Sequence, residues 1–294
     1  MSGPVPFAGP IGNPVAIATG RYAAILGASP SKGARSPVLW NAAFKAAGID
    51  AVMHPMDVTA EDLPAVVAAL KADPRFVGGA VAVPHKQALA TLLDRVEPEA
   101  ARIGAVNAIY RDGDALVGAN TDGAGALSQI EELVGGANAL MTRRALVLGL
   151  GGAGLAVAAF LSGRVTELTV ANRSSATAET VAAKLGTLVA GWPVGADVTS
   201  KIDLVVNATS VGHKDGPAGS PLDAAALAAL PASAAVYDVI YQPDVTPLVA
   251  AATARGLATR NGLGMNLDQA VIAFGKALPG ALDMDAVRAA MRAA

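Results

Sequence analysis

The chain has 294 residues, 53% hydrophobic and 16% charged, which is enough length and apolar mass for two medium-sized domains with large cores. A net charge of −2 gives no electrostatic basis for binding nucleic acid or an acidic membrane surface. Cysteine is absent, which excludes disulfides, thiolate nucleophiles and cysteine-held metals; the three histidines (His54, His85, His213) show no metal-ligand spacing, so no metal is expected.

Residues 1–20 are rich in Gly and Pro. They lack the basic start and apolar block of a secretion signal and read as a loose lead-in, with a cytoplasmic location as the default. From Tyr22 strands and helices alternate. "YAAILGA" reads as a strand and "SPVLWNAAFKAAG" as a helix, with Ser36 at the cap and Pro37 at the first helical position. "DAVMHPM" is a second predicted strand. A helix follows over "TAEDLPAVVAALKAD", with Thr59 as cap and Asp62 three positions later. "FVGGAVAV" is a third strand, ending in Pro84, His85 and Lys86. "ARIGAVNAIYRDGDALVGAN" predicts a hairpin about Asp112-Gly113. A helix then runs from Asp122 to about Leu133, and "GGAN" forms a loop.

A second series begins at "ALVLG". It continues through a glycine turn, a helix, "ELTVANR", a helix, "DLVVNATS", an Ala- and Leu-rich helix and "AAVYDVIY", and residues 267–294 read as helices. Alternation of this kind predicts an α/β fold of parallel sheets covered by helices. Ala145–Gly163 is uncharged and long enough to nominate a membrane span. Its four glycines between Gly149 and Gly154 instead predict a buried strand, a tight turn and a helix.

That turn, Gly149-Leu150-Gly151-Gly152-Ala153-Gly154, follows a strand and opens a helix, the context a dinucleotide fingerprint demands. Gly149 permits the turn, Gly151 lets a pyrophosphate approach, and Gly154 allows helix to pack on strand. Free N–H groups at the helix start, including that of Ala153, face phosphate. The next strand ends about twenty residues on, at Asn172-Arg173, where an acidic residue would hold the ribose diol of NAD. Asn then Arg favours a 2′-phosphate, hence NADP, with NAD still open.

With these pieces in order, the chain resembles the shikimate dehydrogenase family. The matching runs are "RSPVLWNAAF", "VAVPHK", "IGAVNAI", "GANTDGAG", "GLGGAG", "NRS", "NATSVG", "YDVIYQPDVTPL" and "GLGMNLDQAVIAF", which span Ser36–Phe274 in family order. The resemblance implies two domains: an α/β substrate domain over 1–122, completed by helices of 263–294 that return to it, and a Rossmann NADP-binding domain over 123–262. It implies reversible hydride transfer between NADP(H) and a ring hydroxyl or ketone of a cyclohexene carboxylate, in aromatic amino acid biosynthesis. It assigns Lys86 and Asp122 as the catalytic pair, and Ser36, Asn107, Gln269 and Tyr241 to the substrate. To the cofactor it assigns Gly149, Gly151, Gly152, Ala153, Gly154, Asn172, Arg173, Thr209, Ser210 and Gly262. His85 is a bystander on this reading, and His54 and His213 are structural, with His213 open to lining the cleft. The partner is a small molecule, and a homodimer is possible.

The chain departs from the family at the anchoring end. Ala34 stands where the first loop usually carries a second serine beside Ser36, and that loop is one residue longer. Ala80 and Ala82 stand where the family usually has Asn and Thr. Ser29, Ser31, Lys32 or Arg35 could supply a replacement anchor, or be solvated loop residues. Thr177 stands where NADP-linked members often carry a further basic residue. Two other readings stay open: an NAD-linked quinate/shikimate dehydrogenase, and a ligand sensor that reuses the fold without chemistry.

Overall fold

The computed structural model describes residues 5–279 and 283–294. They form two units, one holding the residues up to Thr121 with those from Leu267 onward, the other Asp122–Asn266. The chain passes between them inside two helices, so Asp122 falls in the second unit.

The first unit opens with a short antiparallel ribbon, β1 (Val5–Pro6) and β2 (Ala16–Ile17). Then come β3 (Arg21–Gly27), α1 (Ser36–Ala46), β4 (Ala51–Asp57), α2 (Leu63–Ala72), β5 (Phe76–Val81) and α3 (Lys86–Ala90). After them run β6 (Arg95–Val96), α4 (Pro98–Ile103), β7 (Ala108–Asp112) and β8 (Ala115–Ala119). The six-stranded sheet runs β4-β3-β5-β7-β8-β6. β3 pairs in parallel with β4 and β5, and β7 is antiparallel to both neighbours. The predicted hairpin is therefore present, but its insertion makes this sheet mixed, not parallel as alternation suggested.

The second unit contains most of α5 (Thr121–Val134), then α6 (Ala137–Leu140), β9 (Arg144–Leu148), α7 (Gly152–Leu161), β10 (Glu167–Ala171) and α8 (Ser175–Leu185). It goes on through β11 (Leu188–Val189), α9 (Ala196–Thr199), β12 (Leu204–Asn207), α10 (Ala224–Ala229), β13 (Ala235–Asp238), α11 (Pro247–Ala254) and β14 (Ala258–Asn261). Its parallel sheet runs β11-β10-β9-β12-β13-β14, the Rossmann order, with the reversal between β9 and β12. Leu146, Val147, Val205 and Val236 are fully buried, as strands covered on both faces require. The apolar stretch 145–163 is β9, the glycine turn and α7. Among the described residues no helix is long and apolar enough to cross a membrane.

Helix α12 (Leu263–Ala277) leads back into the first unit, followed by α13 (Met284–Ala293). Phe274 of α12 packs on Trp40 and Phe44 of α1, each ring pair 5.1 Å between centroids. Val287 and Met291 of α13 complete that core.

Three expectations need correction. The lead-in is built into the first unit: Ile17 is 1% exposed, Phe7, Ile11 and Val15 pack against the core, and Phe7 N–H donates to Val15 O. Gly and Pro there shape an ordered course along the sheet edge. Helix α1 begins one residue earlier than expected, with Ser36 inside its first turn and Arg35 at the cap, and no side chain caps it. Similarly, Thr59 and Asp62 bond to one another, but α2 starts only at Leu63.

Candidate active site

The second unit is organised around the turn after β9. Gly149 has φ +84°, and a Cβ there would lie 2.8 Å from the Thr209 side chain. A Cβ on Gly154 would strike the carbonyl oxygen of Gly149 at 1.9 Å, so only glycine lets α7 sit against the strand end. Gly151 and Gly152 are different: nothing lies within 4 Å of a Cβ built on either, and both are exposed. The first turn of α7, with Ala153 half-buried behind these glycines, thus leaves an open approach to unpaired N–H groups where phosphate binding is favoured. The Asn172 side chain accepts from Leu150 N–H at 3.1 Å, tying the end of β10 to the glycine turn. Arg173 beside it is exposed and makes no ion pair among the described residues. The chain from 172 to 178 carries no carboxylate. Thr177 bonds to Ser174, the cap of α8. This donor set fits a dinucleotide bearing a 2′-phosphate.

The other rim of the crevice is held by a network that the sequence reading missed. Asn207 and Asp238 end neighbouring strands in register and are both fully buried. Asn207 donates to Asp238 at 3.0 Å, and its carbonyl oxygen accepts from Thr209 N–H (3.0 Å) and Thr209 Oγ1 (2.7 Å). Thr246 Oγ1 and Ile240 N–H also donate to Asp238, at 2.6 and 3.0 Å. Burial pushes the Asp238 carboxyl above its usual range, and these donors oppose that. The loops carrying Thr209, Ser210 and Tyr241 are shaped by this knot. Gly262 sits against the residue that follows β13, where a Cβ would meet Val239 O at 1.9 Å, so close packing demands glycine there. His213 Nδ1 accepts from Asp215 N–H within its own turn.

In the first unit Lys86 does not leave a strand directly. β5 ends at Val81, the chain turns through Ala82–His85 with a cis Val83–Pro84 bond, and Lys86 opens α3, half-buried. His85 is 2% exposed and its Nε2 lies 2.8 Å from Val58 O, which locks the turn. The Lys86 carbonyl accepts from Val106 N–H at 2.8 Å, placing its backbone beside Asn107. Asn107 is 4% exposed. Its Oδ1 accepts from Thr121 N–H at 2.6 Å; its Nδ2 donates to Thr121 Oγ1 at 3.0 Å and to Gln269 Oε1 at 3.5 Å. One amide therefore starts α5, the helix whose second residue is Asp122, and reaches α12. Ser36 makes no side-chain hydrogen bond among the described residues, so its hydroxyl is available to a ligand. The structure thus groups Lys86, Asn107 and Gln269 within one unit, while Tyr241 and Asp122 belong to the other.

The altered anchoring positions are apolar inside as well as in sequence. Ala80 is 8% exposed, and Ala34 and Ala82 pack against the aromatic core. Ser31 is consumed by Asp57 (Ser31 N–H to Oδ1 2.9 Å, Oγ to Oδ2 2.5 Å) and so is no replacement anchor. Lys32 and Arg35 are exposed and make no ion pair among the described residues.

A Rossmann sheet with an open glycine turn at its switch point defines a dinucleotide-binding α/β protein of the dehydrogenase class. Residues 26–109 match the model of the shikimate dehydrogenase substrate binding domain. The chain is 40% identical to the shikimate dehydrogenase (NADP(+)) of Exiguobacterium sibiricum, over 81% of this chain and 85% of that one. Among solved structures, it is similar to shikimate 5-dehydrogenase from Thermus thermophilus in complex with NADP(H) and shikimate, at 32% identity and TM-score 0.75, covering 93% and 99% of the two chains. It is also similar to 5-ketofructose reductase of Gluconobacter, at 29% identity and TM-score 0.78, covering 93% and 98%. The chain belongs to the shikimate dehydrogenase family.

Proposed function

We propose that the chain is an NADP-dependent oxidoreductase that reversibly transfers hydride to or from a ring hydroxyl or ketone of shikimate or a related cyclic polyol acid. The observation that carries this is the uncovered start of α7 at Gly151–Gly152, with exposed Arg173 at the next strand end and no carboxylate opposing it. NADP supplies the hydride acceptor or donor when bound. Lys86 handles the proton: in the oxidising direction its neutral Nζ takes the hydroxyl proton as hydride leaves the same carbon, and in reverse the ammonium returns it. Asp122 orients that ammonium. Ser36, Asn107, Gln269 and Tyr241 hold the remaining polar groups of the substrate. The unit made of the residues up to Thr121 and those from Leu267 onward takes the substrate, and Asp122–Asn266 hold the cofactor. The enzyme is cytoplasmic, and self-association into a homodimer is to be measured by sedimentation.

A second reading concerns the substrate. Ala34, Ala80 and Ala82 remove hydrogen-bonding groups, and Ser31 is engaged elsewhere. Each lost hydrogen bond to a carboxylate is worth about 1.5–3 kcal/mol, so shikimate is expected to bind poorly unless Lys32 or Arg35 holds it. A neutral polyol ketone loses nothing at these positions, and the similarity to a 5-ketofructose reductase makes that class worth testing.

The test assays shikimate and quinate with NADP+ and with NAD+, and 5-ketofructose with NADPH, alongside calorimetric titration of NADPH and NADH. Turnover of one panel member and tighter binding of NADPH are expected. Equal affinity for the two cofactors sinks the assignment of Arg173. A millimolar Michaelis constant for shikimate that falls in Ala34→Ser/Ala82→Thr supports the changed anchor, and micromolar saturation by the natural chain refutes it.

A further inference from the structure

We infer that Asp57 is a positioning residue for the substrate side of the site, acting through the turn that carries Ser36. Asp57 is the last residue of β4, a strand at the edge of its sheet. The N-terminal segment, the end of β3 and the turn that follows β3 meet around it. From the N-terminal segment, Gly12 N–H donates to the Asp57 carbonyl at 2.7 Å. Asn13 grips the same edge with both ends of its amide: Oδ1 accepts from Asp57 N–H at 2.7 Å and Nδ2 donates to Pro55 O at 2.9 Å. An edge strand leaves alternate N–H and C=O groups unpaired, and Asn13 satisfies two of them as a neighbouring strand would. From the β3 side, Gly27 is the parallel partner of Asp57, and Val58 N–H donates to Gly27 O at 2.8 Å.

The third segment is the single turn of 3-10 helix Pro30–Lys32. The Asp57 carboxylate uses one oxygen for Ser31 N–H and the other for Ser31 Oγ. Pro30 is buried beneath, and Ala34 N–H donates to Pro30 O at 3.0 Å. The Arg35 carbonyl then accepts from Val38 and Leu39 N–H as α1 begins. Only four residues separate the clamped Ser31 from Ser36, and each peptide between is short-range bonded or packed. A displacement at Ser31 is therefore passed to Ser36 and to the cations Lys32 and Arg35 with little slack. Ala34 and Ala82 offer no polar contact that could hold this loop from the other side, so the Asp57 clamp and the buried Pro30 hold it instead. The N-terminal segment, through Asn13, in turn holds Asp57.

The substrate role of Ser36 is the part of this taken from the reading above, and the experiment separates the two. Steady-state constants are measured for the best substrate of the panel, with NADP+ varied independently, in Ser31→Ala, Asp57→Ala, Asp57→Asn, Ser36→Ala and the Ser36→Ala/Asp57→Ala double variant. Ser31→Ala loses one of the two bonds and is expected to raise the substrate KM about threefold to tenfold; Asp57→Ala raises it tenfold or more. In both, kcat stays within about threefold and the NADP+ KM is unchanged. Asp57→Asn keeps an acceptor for Ser31 N–H and recovers most of the loss. On the Ser36→Ala background Asp57→Ala costs little more, since both act through one contact. An unchanged KM in Ser31→Ala and Asp57→Ala, with only the melting temperature lowered, leaves Asp57 a purely structural residue and overturns the inference; so do fully additive effects in the double variant. Ser31→Ala removes only an exposed hydroxyl and keeps the test open if Asp57→Ala does not fold. A wild-type chain that turns over no panel member overturns the reading itself, and the inference with it.

Discussion

Lys86 and His54 are two ionisable groups of the first unit in different settings, one opening a helix and the other inside a strand. Lys86 opens a short helix with its carbonyl bonded beside Asn107, a geometry that steadies its backbone. Lys86→Ala is expected to lower kcat by roughly 10²–10⁴-fold, the usual contribution of a general acid–base group, with NADPH affinity from calorimetry unchanged. A variant keeping more than about a tenth of the wild-type rate removes Lys86 from the mechanism. His54 lies in β4 with its Nε2 buried and unpartnered, and burial lowers its pKa below 6.5. The unfolded chain therefore takes up the proton first. Stability is complete above about pH 6.5 and declines as pH falls toward the folded-state value. Thermal midpoints measured from pH 7.5 to 5 should drop in the wild type and drop less in His54→Asn. Equal slopes would show that His54 stays solvated enough to titrate normally.

At the level of elements, α12 is gripped from both sides. Gln269 meets Asn107 on one side, and on the other Asp268, fully buried, pairs with Arg288 of α13. Arg288→Met removes the paired cation from a buried carboxylate. The expected loss is about 3 kcal/mol, the low end for breaking a buried pair, because Arg288 is itself 29% exposed. Adding Asp268→Asn should restore most of it in urea unfolding; no recovery would mean the arginine acts by packing. Legibility follows the distance in sequence over which each feature is built. The glycine turn was readable because its causes lie within Gly149–Gly154, and the β7–β8 hairpin because Asp112-Gly113 announces it. Asn207 and Asp238 were visible only as polar residues at strand ends; that each is the other's partner depends on the register of β12 with β13. The N-terminal segment was misread because Gly and Pro signal irregular backbone, while its order comes from Asn13 reaching a strand more than forty residues away. Lys86 was assigned by resemblance, but the turn and helix that carry it depend on His85 bonding to Val58, which no local pattern reveals.

Taken whole, the molecule carries one tryptophan in each unit: Trp40 in the core of the first, and Trp192, half-buried, in the second. This allows the units to be followed separately. NADP+ at about 100 times its dissociation constant adds about 2.7 kcal/mol to whatever it binds. The thermal transition reported by Trp192 in Trp40→Phe should therefore rise more than that reported by Trp40 in Trp192→Phe. Equal shifts would mean that the chain melts as one cooperative block. The first unit is also discontinuous in the chain: Trp40 and Phe44 are covered by Phe274, Val287 and Met291, which are synthesised only after the whole second unit. On the ribosome, the earlier segment of the first unit must wait with an aromatic groove uncovered while the whole second unit emerges and is free to fold. The usual N-to-C order of domain maturation is thus inverted, and a stalled or prematurely terminated product that stops before α12 would present that groove to chaperones and proteases.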